Sequence, residues 1–186
     1  MAGTTPMSTR RDALVSASKL VLNIQKIAAE QEICRVSTVG SIKAIPNAVN
    51  VIPGHASIGL EFRDTDMEAL AAAEQELRRA TDQAAVDDIV NIEVIRHRFT
   101  SAVPITADMQ VLVAEAAENC GMAWEPLASG AGHDAQAMAN IAPVAMIFVP
   151  SIDGISHAIE EYSTPQDCAN GAQVLLELLL LADDRF

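Results

Sequence analysis

The sequence predicts an α/β protein made of two unlike parts. Residues 1–103 read as a split βαβ (ferredoxin-like) unit lacking its first strand, and residues 104–186 as part of a parallel-sheet α/β domain. Three observations predict this. Hydrophobic residues make up 50% of the chain but aromatics only 3%, so the apolar mass is Ala, Val, Ile and Leu, the usage of α/β proteins. Helix-period and strand-period segments follow one another through residue 99. Past Pro104 the pattern changes, with a glycine-rich turn and a continuous apolar run in place of alternation.

Residues 1–8 (MAGTTPMS) are small and polar and read as a loop. Ala13, Leu14, Ala17, Leu20, Val21, Ile24, Ile27 and Ala28 recur at three and four, one apolar stripe of a helix ending near Glu30. Residues 35–43 alternate as a strand, and 48–52 read as short and extended between turns at Pro46-Asn47 and Pro53-Gly54. In 56–64, Ile58, Leu60 and Phe62 share one face; Ser57, Gly59, Glu61 and Arg63 share the other. Thr65-x-x-Glu68 reads as a capping box opening a helix to about Gln83. Residues 89–99 alternate again as a strand. The order α-β-β-α-β would become the split βαβ unit with one more strand in front.

Beyond the boundary, 106–120 is a helix stopped by Gly121. Ser129-Gly130-Ala131-Gly132-His133-Asp134 is a glycine-rich turn before a short helix at 135–140. The run PVAMIFV at 143–149 has the continuous apolarity of a strand buried on both faces of a parallel sheet. A polar loop follows, and Thr164-Pro165 caps a last helix with Pro at its first position.

Twelve Lys and Arg against 25 Asp and Glu give a net charge of −13, which argues against nucleic acid and against docking on an anionic membrane. No apolar run reaches membrane-spanning length, since Glu177 breaks the longest. Residues 9–26 are basic and Ser-containing in the manner of a transit peptide, but an ordinary helix explains their spacing better. Cys34, Cys120 and Cys168 are odd in number and form no CxxC, which fits a reduced, cytoplasmic compartment.

Three sets of residues could carry chemistry. His157 lies after the apolar run, at the carboxyl end of a predicted strand, where open parallel sheets bind ligands. It could ligate a metal, with Glu160 and Glu161 orienting it, or be a plain surface histidine. His133 and Gly132, in the turn, could meet an oxyanion or carboxylate; equally, the glycines serve the turn and His133 caps the helix. Asn50 and Arg63, both read at strand positions, could grip a carboxylate through the guanidinium fork, or be solvated surface residues. His55 and His97 read as turn and surface residues. No Ser-His-Asp order, GxSxG elbow, P-loop or GxGxxG is present.

In this order, AGTTPMSTRRDAL, TVGSIKAIPNAVNVIPG, a strand ending in EFRD, SGAGHDAQAMA and IFVPSIDGISHAIEEYS resemble the hydantoinase/carbamoylase group of metal-dependent amidases. That group holds N-carbamoyl-L-amino-acid hydrolases, allantoate amidohydrolases and β-ureidopropionases, within the aminoacylase and di-zinc carboxypeptidase superfamily. The resemblance implies an α/β catalytic domain with two divalent ions (zinc, manganese or cobalt), interrupted by a lid that usually makes a homodimer. Residues 1–103 would be the lid and 104–186 the C-terminal return into the catalytic domain. It implies hydrolysis of linear amide or ureido C–N bonds in a small carboxylate-bearing substrate. His157 would be a metal ligand, Asn50 and Arg63 the carboxylate grip, and Gly132 and His133 neighbours of the substrate.

The departures are as informative. Where the group has His before AGTTPM, this chain has Met1. The general-base Glu and the other metal ligands have no counterpart, so no catalytic residue is assigned and the chain supplies one ligand. Because a catalytic zinc needs about three protein ligands, the expectation is a fragment not active alone. The alternative is a non-catalytic dimerisation or binding module derived from the lid.

Overall fold

The computed structural model describes residues 2–185; the substitution at Met1 lies outside them. The chain divides between Ala102 and Val103 into two compact units. Among the described residues no helix is long and apolar enough to cross a membrane.

Unit 1 is two helices laid on one face of a hairpin. Helix α1 (Ala13–Ala29) starts where the Asp12 carboxylate accepts from the Leu14 and Val15 N–H groups at 3.1 and 3.2 Å. Its buried face is Ser16, Ala17, Leu20, Ile24 and Ile27, on the predicted stripe. Strands β1 (Val36–Ile45) and β2 (His55–Arg63) pair antiparallel, from Ile45↔His55 at the closed end to Val36↔Arg63 at the open end, with a bulge at Gly40. Val39, Ile58, Leu60 and Phe62 turn inward and pack against a core of Leu20, Ile24, Ile27, Cys34, Ala73, Leu77, Ala80 and Ala84. Helix α2 (Met67–Asp87) supplies the last four.

Three expectations in unit 1 are corrected. Asp66, not Thr65, caps α2, accepting from the Glu68 N–H at 2.8 Å. Residues 48–52 are a turn rather than an extended stretch, with the Val51 N–H on the Ala48 carbonyl. The stretch 89–99 forms no strand. Val90, Ile92 and Val94 are half-buried, alternating with exposed neighbours, and Ile92 and Val94 touch the core. The two-residue period therefore reports burial correctly, while the sheet of the described residues holds β1 and β2 alone.

Unit 2 rests on a helix pair. Helix α3 (Ala107–Asn119) and helix α5 (Pro165–Arg185) bury Leu112, Ala116 and Ala117 against Val174 and Leu178. Helix α3 ends in a Schellman turn: Gly121 takes φ +69°, Met122 N–H reaches the Ala117 carbonyl and Gly121 N–H that of Glu118. Helix α5 starts at Thr164, whose hydroxyl accepts from Asp167 N–H at 3.1 Å and donates to its carboxylate. Asn119–Glu177 and Arg185–Glu115 contacts tie the two helices across their polar sides.

Between them lie helix α4 (Asp134–Met138) and irregular chain. The run 143–149 is not a strand, and no parallel sheet exists among the described residues. Val144–Ile147 are only half-buried and Phe148 is exposed. The segment is nonetheless held closely: a Cβ on Gly171 of α5 would come within 2.4 Å of Val149 Cγ1. Apolarity alone cannot make a strand, because its N–H and C=O groups need a neighbouring strand to bond.

Candidate functional site

The candidate residues fall in both units, two in the first and three in the second. Asn50 is exposed in the turn that closes the hairpin, not on a strand as expected. Its carbonyl accepts from Ala2 N–H at 2.9 Å, and Ala13 N–H reaches the Pro53 carbonyl, so the loop is fastened at the entry to α1. Arg63 is the last residue of β2, at the open end. The eight steps from His55 to Arg63 span about 27 Å at strand rise. The two proposed carboxylate ligands therefore stand at opposite ends of the hairpin.

Arg63 is half-exposed and already meets a carboxylate. Its Nε donates to Glu61 Oε1 and its Nη2 to Glu61 Oε2, both at 3.1 Å. Glu61 and Arg63 are two apart on one strand, so the pleat points both side chains the same way. Sequence reading placed Glu61 on that face but gave it no role; the i,i+2 spacing of opposite charges was the signal.

In unit 2, His133 caps α4. Its Nδ1 accepts from Ala135 N–H at 3.3 Å, while the Gln136 side chain accepts from His133 N–H at 3.3 Å. The capping alternative is thus realised, and Gln136, three residues on, was its overlooked signature. With Nδ1 accepting, a neutral imidazole carries its proton on Nε2 and presents a donor outward. Gly132 stands beside it, 3.6 Å from Gln136 Oε1 when given a Cβ.

His157 is exposed and adopts φ +58°, a left-handed conformation that His tolerates better than most residues. Its backbone N–H donates to Glu161 Oε2 at 2.6 Å. Glu161 therefore fixes the loop rather than the imidazole, a correction to its expected role. Among the described residues no three His, Cys, Asp or Glu side chains are grouped to hold a metal ion. By themselves they do not fit a metal centre.

An open groove of about 510 Å³ lies beside Glu32, Cys34, Arg35, Asp64 and Asp66, and the Cys34 thiol offers no reactive thiolate there. Burial first, and then the charge of Asp64, push the Cys34 thiol up, so it stays protonated. None of the five candidate residues lines that groove.

With this geometry in hand, comparison with known proteins identifies the family. Residues 7–181 match Peptidase family M20/M25/M40. The chain is 35% identical over 178 residues to an N-carbamoyl-L-amino acid amidohydrolase of Geobacillus stearothermophilus, covering 94% of this chain and 42% of that protein. It is 34% identical over 180 residues to the allantoate amidohydrolase of Escherichia coli K12, covering 96% and 43%. Among solved structures, an amidase of the hydantoinase/carbamoylase family from Burkholderia vietnamiensis superimposes with a TM-score of 0.89 at 37% identity, over 96% of this chain and 43% of that one. The chain thus spans about two fifths of the length of these relatives. A match over nearly the whole chain, with hydantoinase/carbamoylase amidases as its structural neighbours, makes this chain a member of Peptidase family M20/M25/M40.

Proposed function

We propose that this chain serves an amidohydrolase that cleaves linear amide or ureido C–N bonds of small carboxylate-bearing substrates such as N-carbamoyl-L-amino acids, and that it is not active alone. The family match over residues 7–181 carries this reading, and the names of its relatives give the substrate class. In it, residues 1–103 are a split βαβ lid lacking its first strand and 104–186 belong to the catalytic domain. The α-β-β-α order and the alternating burial of 90–94 support the first assignment.

M20 proteins generally use divalent metal ions. His157 is one imidazole donor, and a catalytic zinc takes about three protein ligands. The remaining donors and a general base have to come from outside the described residues. Its own residues bind and orient. Arg63 holds the substrate carboxylate, Gly132 and His133 border the substrate, and His133 offers an Nε2–H donor to a carbonyl oxygen.

Asn50 and Arg63 point to a homodimer. Standing at opposite ends of one hairpin, they are poorly placed to share a carboxylate within one copy, whereas twofold symmetry allows Asn50 of one copy to meet Arg63 of the other. The three unpaired cysteines suit a reducing, cytoplasmic compartment.

The test has two arms. Purified chain, given zinc, manganese or cobalt and an N-carbamoyl-L-amino acid, should show no turnover; turnover refutes the claim of inactivity. In a polypeptide that also carries the missing ligands, Arg63→Ala should raise KM about tenfold or more, the loss of a charge-assisted bidentate contact. Unchanged KM and kcat/KM would remove Arg63 from the site. A second reading, a non-catalytic dimerisation or binding module, is favoured by the lack of a metal-binding trio among the described residues. A stable dimer that binds neither metal nor substrate would make it the better one.

A further inference from the structure

We propose that Glu61 is a built-in competitor for the Arg63 guanidinium, a carboxylate that masks the fork until a ligand carboxylate displaces it. The inference rests on the reading of Arg63 as the carboxylate-binding residue. Both oxygens of Glu61 meet Nε and Nη2 of Arg63 at 3.1 Å, the same two-point contact a ligand carboxylate would make. The contact needs nothing but an extended β2, because residues two apart on a strand point the same way.

Directly across the ladder Glu61 faces Thr38 and Arg63 faces Val36, neither of which is charged. A carboxylate arriving on the Nε–Nη2 edge has to replace Glu61; one arriving elsewhere on the guanidinium meets the negative charge of Glu61 alongside. The chain as a whole carries −13, so long-range attraction does not offset this for an anion. The pair is nevertheless weak enough to open. Its side chains are 47% and 51% exposed, and exposed ion pairs are worth little.

The functional consequence is selectivity. A simple carboxylic acid gains little by exchanging one carboxylate for another. A substrate anchored at a second point can complete the exchange. Glu61 thus discriminates against small acids that carry only the group Arg63 recognises.

The experiment titrates N-carbamoylglycine into the full 186-residue chain while following the Arg63 Nε–H resonance, in wild type, Glu61→Gln, Glu61→Thr and Arg63→Ala, the last read through the backbone amides of β2. Removing the competing charge should tighten binding about two- to fivefold in both Glu61 variants, the range set by an exposed ion pair. Arg63→Ala should abolish binding. Damage to the fold would weaken binding, so a gain in affinity is not explained by it. If Arg63→Ala abolishes binding but the Glu61 variants bind equally or less tightly, Glu61 orients Arg63 rather than masking it. The competitor role then falls while Arg63 keeps its assignment. If Arg63→Ala binds like wild type, or no variant binds at all, the carboxylate reading of Arg63 falls and takes this inference with it.

Discussion

Unit 1 gathers the larger buried apolar cluster and unit 2 the smaller, while both leave large apolar side chains in solvent, among them Leu22 and Val86 in the first. In the first, helices α1 and α2 cover one face of the hairpin, and eight side chains are buried in one cluster. In the second, five buried side chains join α3 to α5, while Leu175, Leu176, Leu179 and Leu180 of α5 stay 49–59% exposed and Ile141 79%. Both units contain a segment with a strand's apolar pattern and no ladder, 89–99 and 143–149. The difference lies in what surrounds it. In unit 1 a sheet and two helices give the segment something to lie against, and its alternation is preserved as burial. In unit 2 the run meets only the α3–α5 pair, with Ile147 against its cluster, and is half-covered.

The largest test of this contrast is core truncation. Ile24→Ala and Leu112→Ala, each removing a fully buried side chain, should each cost about 2–5 kcal/mol. Hydrogen exchange should assign the first loss to α1, α2 and the hairpin and the second to α3 and α5. Equal loss in both units from either change would break the division. Capping comes next. Asp12→Ala and Asp66→Ala remove carboxylates that accept helix N–H bonds in unit 1, and each should cost about 1 kcal/mol in denaturant unfolding. Thr106→Ala at the start of α3, where no side-chain cap bond forms, should cost clearly less. Gly171→Ala sharpens the picture of unit 2. The gain of about 1 kcal/mol from helix propensity should be offset as Val149 is pushed away, with faster amide exchange over 145–149. Full stabilisation with those amides unchanged would mean the segment is not held by α5.

Acid gives the smallest and most diffuse effect. A hydrogen bond from Lys19 lowers the Asp88 carboxyl, the Asp66 backbone N–H lowers Asp64, and Arg79 lowers Glu76. A carboxyl lowered in the folded state stabilises above its unfolded value and loses that contribution as pH falls through the folded one. All three lie in unit 1. Its exchange protection should therefore begin to fall below about pH 4, and Lys19→Met should remove part of that dependence. A pH-independent unit 1 would discount these contacts.

What could be read from the chain alone follows the range of the interactions involved. Helices α1, α2, α3 and α5 and both strands were legible because periodicity, caps and breakers are local. Their boundaries slipped where two caps compete, as at Thr65 and Asp66. The strands expected at 89–99 and 143–149 were not recoverable, since a ladder depends on another segment and the period reports only which side chains turn inward. The site shows the same limit. The His133 cap could be read from Gln136 three residues later, and the Glu61–Arg63 pair from their spacing. That Asn50 and Arg63 sit at opposite ends of the hairpin required the register, which fixes where a thirteen-residue separation ends up.

The left-handed backbone of His157 bears on which residues could ever replace it. Glycine would suit the conformation and lose the imidazole. Cysteine, aspartate or glutamate would keep an electron-pair donor, but of these only aspartate is at ease at positive φ. On the proposed metal-ligand role of His157, chain geometry and ligand chemistry act as two successive filters on one position. Few side chains besides histidine and aspartate pass both, so on that reading tolerated variation in the GISH loop should be far narrower than the exposure of His157 would suggest.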